Sequence, residues 1–474
     1  MLSVGDLGFG KSRQVLSCNI SNVLLSSVAK SGDQLNTAAR LLSEKNPEAF
    51  ATFGSNAKCL RRSEKEIKKQ PKYRAINAYG NNLKHPHWGT PGMPFGRQAP
   101  KNYDDGVSSI RKSVTGSELP NPRELVTKVL LKAYKVTRTA KEQNFFSVLN
   151  ALYLTHDMAH SSPVEAFDNC QEIRCCSSGN KKVLDPSVSH SACLPISISQ
   201  DDEFYSKAGV GCLNMVRSES ASAPTTVEHG EILNKVTAYI DHSIIYGSDD
   251  SENKQVRSFV GGKLRLGKND VLPVDSNGKY TKTSDRLTSV PQSAIYAVLT
   301  SRSHNNLAVG LSKINPKWND EKLFQEARRL NIALYQRIIF HDGLEVAFGE
   351  GFDGVYDENV NPAMTVEFNT AGYRFLHLYI RSFMMLKNAS HNVVKIPVSD
   401  TFGRIDLLQN NFDDVLRGSL STRLNFGQHS DEIYNKFAKN ENGVGLDLFS
   451  IDIQRCKIRI VLNSLNNFCV CFRP

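Results

Sequence analysis

The chain contains no run of about 18 apolar residues, so no membrane-spanning helix is expected among its 474 positions. It also lacks the apolar segment of a signal peptide. Met1 to Arg13 is polar and glycine-containing, and the nearest apolar run, around Val23-Leu24-Leu25, is too short. Read literally, those two absences leave the chain in the cytosol. Basic charge is not concentrated either. The net charge is +10, but Lys and Arg are spread along the chain, with one local run from Arg61-Arg62 to Lys68-Lys69 that reads as a solvated helix face. A nucleic-acid binder would gather such residues on one element, so no nucleic-acid partner is expected. Strand-like alternation is rare and internal repeats are absent. With hydrophobic residues at 40% and charged residues at 22%, the remaining reading is a soluble, mainly α-helical domain with a large core.

The ten cysteines oppose the cytosolic reading. Cys170, Cys175, Cys176, Cys193 and Cys212 fall within one stretch rich in Ser, Asn, Asp and Gly. Loop cysteines at irregular spacing suggest disulfides and an oxidising compartment. Zinc is disfavoured, because Cys175 and Cys176 are adjacent instead of forming a CxxC pair, and no paired histidines follow. Since the five are odd in number, one pairs elsewhere or stays a thiol. The sequons Asn19-Ile20-Ser21 and Asn388-Ala389-Ser390 also fit secretion.

Residues 1–55 are weakly patterned and read as an N-terminal extension to the folded domain. Within the domain, 72–105 reads as ordered loop. Asn121-Pro122-Arg123-Glu124 is a helix start, with an N-cap, a proline at the first position and an acidic residue in the first turn. Further helices are predicted over 142–160, near 292–312, over 319–348 and over 370–386 by the recurrence of apolar residues.

Two histidines stand on these predicted helices, His156 in 142–160 and His377 in 370–386. Each alone reads as a satisfied core histidine, and no local metal motif joins them. The segment Thr237-Ala238-Tyr239-Ile240-Asp241-His242-Ser243 places Thr237, Tyr239, Asp241 and Ser243 two apart. In an extended chain such residues project to one side. A row of hydroxyl and carboxylate oxygens suits a hard cation such as calcium.

Several blocks, in order, resemble the animal haem peroxidases, the family of the mammalian leukocyte and thyroid enzymes, peroxidasins, peroxinectins and insect chorion peroxidases. They include YRAINAYGNNLKHPHWG and PFGR within 73–97, LYLTHDMAH at 152–160, FYSKAGVGCLNMVRS at 204–218 and TAYIDHSIIYGS at 237–248. SDRLTSVPQ at 284–292, RSHNNLA at 302–308, NPKWNDEKLFQEAR at 315–328, FNTAGYRFLH at 368–377 and GLDLFSIDIQR at 445–455 complete the series. The arthropod members are the most similar.

That resemblance implies a helical peroxidase domain with few short strands that binds haem b and calcium. It implies His156 as the distal acid–base group and Arg286 as the charge that stabilises O–O cleavage. His377 would be the proximal iron ligand, Asp452 its hydrogen-bond partner in place of the usual asparagine, and Arg455 a propionate partner, with Arg374 supporting the pocket. Asp157, Thr237, Tyr239 through its carbonyl, Asp241 and Ser243 would hold calcium. Hydrogen peroxide and phenolic or tyrosyl donors would be the substrates, and the location extracellular.

The departures from the family pattern carry their own expectations. Leu152 stands where a glutamine organises distal water and halide, so halide oxidation is not expected. Thr155 and Ser289 replace the carboxylates that esterify haem, so haem would not be ester-linked. Leu376 replaces a glycine beside the proximal histidine and is expected to crowd its helix. After Arg455 the residues match nothing in the family, so the resemblance implies a domain at 56–455, incomplete at its C-terminal end, and a separate tail at 456–474. The competing expectation is a non-catalytic extracellular adhesion module of the same fold.

Overall fold

Helix α1 (Pro122–Leu125) begins where the sequence signal places it: the Asn121 side chain accepts from the backbone N–H groups of Arg123 and Glu124, and Pro122 occupies the first position. The chain runs on through a π turn, Val126–Leu130. The computed structural model describes residues 71–459 apart from 101, 105–108, 134–137, 164–172, 191, 219, 222–230, 276–279, 281–285, 344–355 and 427–430. The N-terminal extension 1–55 therefore lies outside the described residues, as does 460–474 of the tail.

Strand β1 (Arg138–Asn144) leads into α2 (Phe145–Met158). Short strands β2 (Ile196–Ser197), β3 (Cys212–Leu213), β4 (Ser220–Ala221) and β5 (Glu231–Ile232) follow. Next come α3 (Ser243–Tyr246), α4 (Asp250–Val256), α5 (Arg286–Ser289), α6 (Ile295–Ile314) and α7 (Asp320–Arg337). Helix α8 (Val366–Thr370) precedes a 3-10 segment, Gly372–Tyr379, and the hairpin of β6 (Phe383–Lys387) and β7 (Val393–Pro397). Helices α9 (Ile405–Ser421), α10 (Asp431–Tyr434) and α11 (Leu448–Arg459), with β8 (Arg423–Phe426) between α9 and α10, complete the described chain. The architecture is mainly helical, with four two-stranded antiparallel sheets among the described residues: β1–β8, β2–β3, β4–β5 and β6–β7.

Two helix expectations change. The predicted helix over 142–160 starts later, at Phe145, because Arg138–Asn144 pairs with β8. That partner lies far along the chain, and local periodicity cannot register it. The predicted helix over 370–386 is not one helix. Ala371, with φ −128 and ψ −52, breaks α8; the chain tightens into 3-10 turns, and Phe383–Lys387 becomes a strand. The helix over 319–348 is observed as α7, capped by Asn319, and continues as π turns over Ile338–Gly343. Beyond Arg455, α11 continues through Cys456 to Arg459, so the first tail residues belong to a helix of the domain.

The main core gathers Phe145, Leu149 and Tyr153 of α2, Ile295 and Val298 of α6, Phe324 of α7, Leu376 of the 3-10 segment, Met384 of β6 and Leu408 of α9. Burial of each such side chain is worth about 1.5–3 kcal/mol. Helix α9 lies directly on β6 at Gly418, where an added Cβ would stand 1.9 Å from the Met385 carbonyl oxygen. A second core joins Val126, Leu378 of the 3-10 segment, Ile433 of α10 and Leu448, Phe449 and Ile453 of α11. Among the described residues, two disulfides close the cysteine loop, Cys175–Cys193 and Cys176–Cys212. Those bonds remove the zinc reading for these four; Cys170 lies outside the described residues.

Candidate active site

His377 sits between the two cores because its neighbours belong to one each. Leu376 is buried in the main core and Leu378 in the second. The leucine expected to crowd an α-helix therefore anchors a 3-10 turn. On α11, Ile453 is buried in the same second core as Leu378, which brings Asp452 to the histidine. His377 Nδ1 and Asp452 Oδ2 are 2.5 Å apart. Arg455 Nη1 donates to Asp452 Oδ1 at 3.3 Å. Arg374 donates Nε to the Asn369 carbonyl at 3.1 Å, and its guanidinium lies 4.4 Å from the Tyr373 ring centroid. In a 3-10 helix residues three apart eclipse one another, so Arg374 and His377 share a face.

The electrostatics of this group are mutual. Burial pushes the Asp452 carboxyl up, but the charge and hydrogen bond of His377, with Arg374 and Arg455, outweigh it and hold the carboxyl below its ordinary value. Burial, aided by the Arg374 charge, lowers Arg455. With Nδ1 engaged by a carboxylate, the imidazole is oriented and its other ring nitrogen is left to bind a metal.

His156 is carried in the last turn of α2, which packs against the 3-10 segment of His377. The residue is buried, and so are its neighbours Thr155 and Asp157. Thr155 Oγ1 donates to the Leu152 carbonyl at 2.8 Å. Arg286 opens α5; its side chain lies outside the described residues. Ser289 closes that helix and is exposed, its carbonyl accepting from Gly403 N–H at 3.0 Å.

Asp157 fixes the end of α2 to the segment before α3. Its Oδ2 accepts from the backbone N–H groups of Asp241 and His242 at 3.2 and 3.0 Å. Its Oδ1 accepts from Ile244 N–H at 3.2 Å and from Ser243 Oγ at 3.1 Å. Thr237 Oγ1 donates to Asp241 Oδ1 at 2.8 Å, and Ser243 N–H donates to the same oxygen at 3.1 Å. Four of the five residues expected around calcium thus meet. The Tyr239 side chain goes elsewhere, donating its hydroxyl to the Trp88 carbonyl at 3.1 Å. Only its backbone is left for the cluster.

Burial is the larger cause that pushes the Asp157 carboxyl up, and the charge of Asp241 adds to it. Burial likewise pushes Asp241 up, against the hydrogen bond from Thr237 and the charge of Arg328. Two buried carboxyls whose charge is poorly compensated, beside two hydroxyls, form an all-oxygen donor set that fits a hard cation. Among the described residues, no group of three or more His, Cys, Asp or Glu gathers as a metal site, so any cation here rests on these two carboxylates with neutral oxygens.

Sequence reasoning missed the groups that brace these residues. Tyr153 shares a hydrogen bond of 2.9 Å with His242 Nδ1, and the His242 ring stacks on Tyr335 at 4.6 Å. Arg328 reaches the carbonyls of Arg74 and Ala75 at 2.7 and 3.3 Å while facing Asp241 electrostatically. No local pattern marks such residues, since their partners come from distant segments.

The family profile described as animal haem peroxidase matches residues 73–458. A chorion peroxidase of Drosophila melanogaster is 32% identical over 420 residues, covering 81% of this chain and 51% of that protein. A second protein of that organism, named peroxidase, is 30% identical, covering 84% of this chain and 63% of its own length. The chain therefore spans about half to two thirds of the length of these relatives. In fold it is similar to peroxidase A from Dictyostelium discoideum, with a TM-score of 0.68 at 22% identity, covering 82% of this chain and 76% of the other.

Proposed function

Because this chain belongs to the animal haem peroxidase family, we propose that it reduces hydrogen peroxide with haem b ligated by His377 and oxidises phenolic or tyrosyl donors in one-electron steps. The observation that carries this reading is the 2.5 Å contact between His377 Nδ1 and Asp452. It orients the imidazole and leaves one nitrogen for iron. Bound haem supplies the redox chemistry. The residues of the chain do the rest. Neutral His156 accepts a proton from the near oxygen of peroxide and returns it to the departing one. Arg286 offers fixed positive charge to the developing oxyanion. Arg455 offers its guanidinium to a haem propionate, and Arg374, on the His377 face, supports the pocket.

Thr155 and Ser289 carry hydroxyls in place of carboxyls, which supports haem held without ester links. Leu152, half-buried on α2, cannot donate or accept a hydrogen bond, which supports phenols over halide as reductant. The two disulfides support an extracellular location. The expected result for the purified chain with haem is a Soret band and guaiacol turnover. The His377→Ala variant is expected to lose the band. Haem uptake unchanged by that variant would refute the assigned ligand, and no uptake by the wild type would favour the adhesion module.

Calcium at Asp157, Thr237, Asp241 and Ser243, with the Tyr239 carbonyl, belongs to the same reading. It would hold the residue next to His156. Its pH dependence has a definite sign. Both carboxyls bind protons more tightly in the folded chain than in the unfolded one. Without the cation, their contribution to stability is present at acid pH and is lost as pH rises through the raised folded values. Calcium competes with those protons. The gap in thermal stability between calcium-saturated and chelated protein is therefore expected to widen from pH 5 toward pH 8, about the window of such shifts. Denaturation scans at both pH values check it; an equal or narrowing gap would exclude calcium from this cluster.

A further inference from the structure

A groove of about 690 Å³ lies between α6, α9 and the turn at Lys268–Asp270. None of its lining residues belongs to the candidate active site. Its size falls in the range of about 300–1,000 Å³ typical of ligand sites. Its lining is unusual in chemistry. Six carboxamides surround it: Asn269, Asn305, Asn306, Gln409, Asn410 and Asn411.

The groove is electrically balanced, with Lys263, Arg302 and Arg417 against Asp270, Asp413 and Asp414. Two of the cations are also committed. Arg302 donates Nε to the Asp270 carbonyl at 2.8 Å and Nη2 to the Asn269 carbonyl at 2.9 Å, and its guanidinium lies 4.3 Å from the Phe412 ring centroid. Arg417 is held by Asp414 at 2.5 Å and by the Lys387 carbonyl at 2.9 Å. An anion would find little uncompensated charge here.

The carboxamides divide into two sets. Asn305 is spent on both backbone groups of Leu264, at 2.8 and 3.1 Å, and Asn411 donates to the Leu407 carbonyl at 3.1 Å. These two build the wall. Asn269 donates to the Gln409 carbonyl at 2.8 Å, leaving its own oxygen, and Asn410 accepts from Lys268 at 3.0 Å, leaving its NH2 group. The Asn306 and Gln409 side chains are not engaged by the described residues, and both reach solvent. Asn269 and Asp270 hold left-handed backbone, with φ of 56° and 54°, and α9 is kinked at Asn411.

Neutral paired donors and acceptors match vicinal hydroxyl groups, each of which both donates and accepts. Leu266 and Val309, half-buried in the lining, offer apolar ground to the C–H face of a sugar ring. A bound peptide strand would call for a free sheet edge or deep apolar pockets, and the groove is walled by helices and polar side chains. We propose that this groove binds a short neutral oligosaccharide and so attaches the chain to a glycan-bearing surface. The haem chemistry is not needed for it.

The test is calorimetric titration of the purified chain with tetrasaccharides of glucose, mannose, galactose and N-acetylglucosamine, each at millimolar concentration. Saturable binding of at least one is expected. The double variant Asn306→Ala with Gln409→Ala should weaken it by about tenfold or more, the loss of two hydrogen bonds. Both positions reach solvent, so folding is expected to survive; Asn410→Asp, which removes the free NH2 group and retains the shape, gives a second reading in the same direction. Failure of all four sugars to bind, or binding untouched by both variants, overturns the proposal. Binding of an alanine tetrapeptide at the same variants' expense, with no sugar bound, overturns it in favour of a peptide site.

Discussion

Replacing His156 by alanine is expected to lower peroxide turnover by about 10²–10⁴-fold, the span of a positioned acid–base group, with the Soret band unchanged. The two readouts separate because the histidines stand on different supports. His377 is held through Leu376 and Leu378 in two cores and through Asp452. His156 is held by α2 and by the clamp on Asp157, which receives three backbone N–H groups and the Ser243 hydroxyl. Removing the His156 ring leaves that clamp intact. Stopped-flow measurement of the peroxide reaction, beside the absorption spectrum, is the check. Turnover within about tenfold of wild type would take His156 out of the acid–base role.

The second large effect concerns stability. Arg123 is buried and donates Nε to Asp202 at 2.7 Å, Nη1 to Asp447 at 2.8 Å and to the Tyr434 carbonyl at 2.8 Å, and Nη2 to Asn435 at 2.7 Å. Its guanidinium also lies 4.6 Å from the Tyr205 ring centroid. One cation thus ties α1 to the loop after β2, to α10 and to the start of α11. Burial pushes the Asp447 carboxyl up even with Arg123 against it. Arg123→Ala would leave two buried carboxylates without compensation, and a loss of about 3–5 kcal/mol is expected. Asp452 and the second core lie on the helix so anchored, so weaker haem retention should accompany the loss. Urea denaturation followed by circular dichroism measures it. A change below ~1 kcal/mol, the scale of an exposed ion pair, would show that the network is not tightly coupled.

The motif order from Tyr73 to Arg455 was enough to identify the family, and the family profile matches 73–458. Helix α6, by its apolar spacing, and α7, with its Asn319 cap, were legible because their signals are local in the chain. The disulfide expectation was legible from composition, yet the partners Cys175–Cys193 and Cys176–Cys212 were not, since spacing leaves several pairings open. The segment around His377 misled as an apolar helix. Its 3-10 turns pack against α2 and α11, and the β6–β7 hairpin lies on α9, where Gly418 lets the strand approach.

The sequence by itself, through its ordered resemblance to the family, put forward which side chains could carry a reaction here, namely His156, Arg286, His377, Asp452 and Arg455; local spacing alone offered only the oxygen row from Thr237 to Ser243. Tertiary structure alone decided which of them meet. It joined His377 to Asp452 and Asp157 to the Thr237–Ser243 segment, and it sent the Tyr239 side chain to Trp88 instead. It also made Arg123 a buried hub and gathered six scattered carboxamides into one groove. The reason is physical: periodicity and capping act over a few residues, whereas these contacts join segments far apart in the chain, brought together only when the two cores bury their apolar side chains.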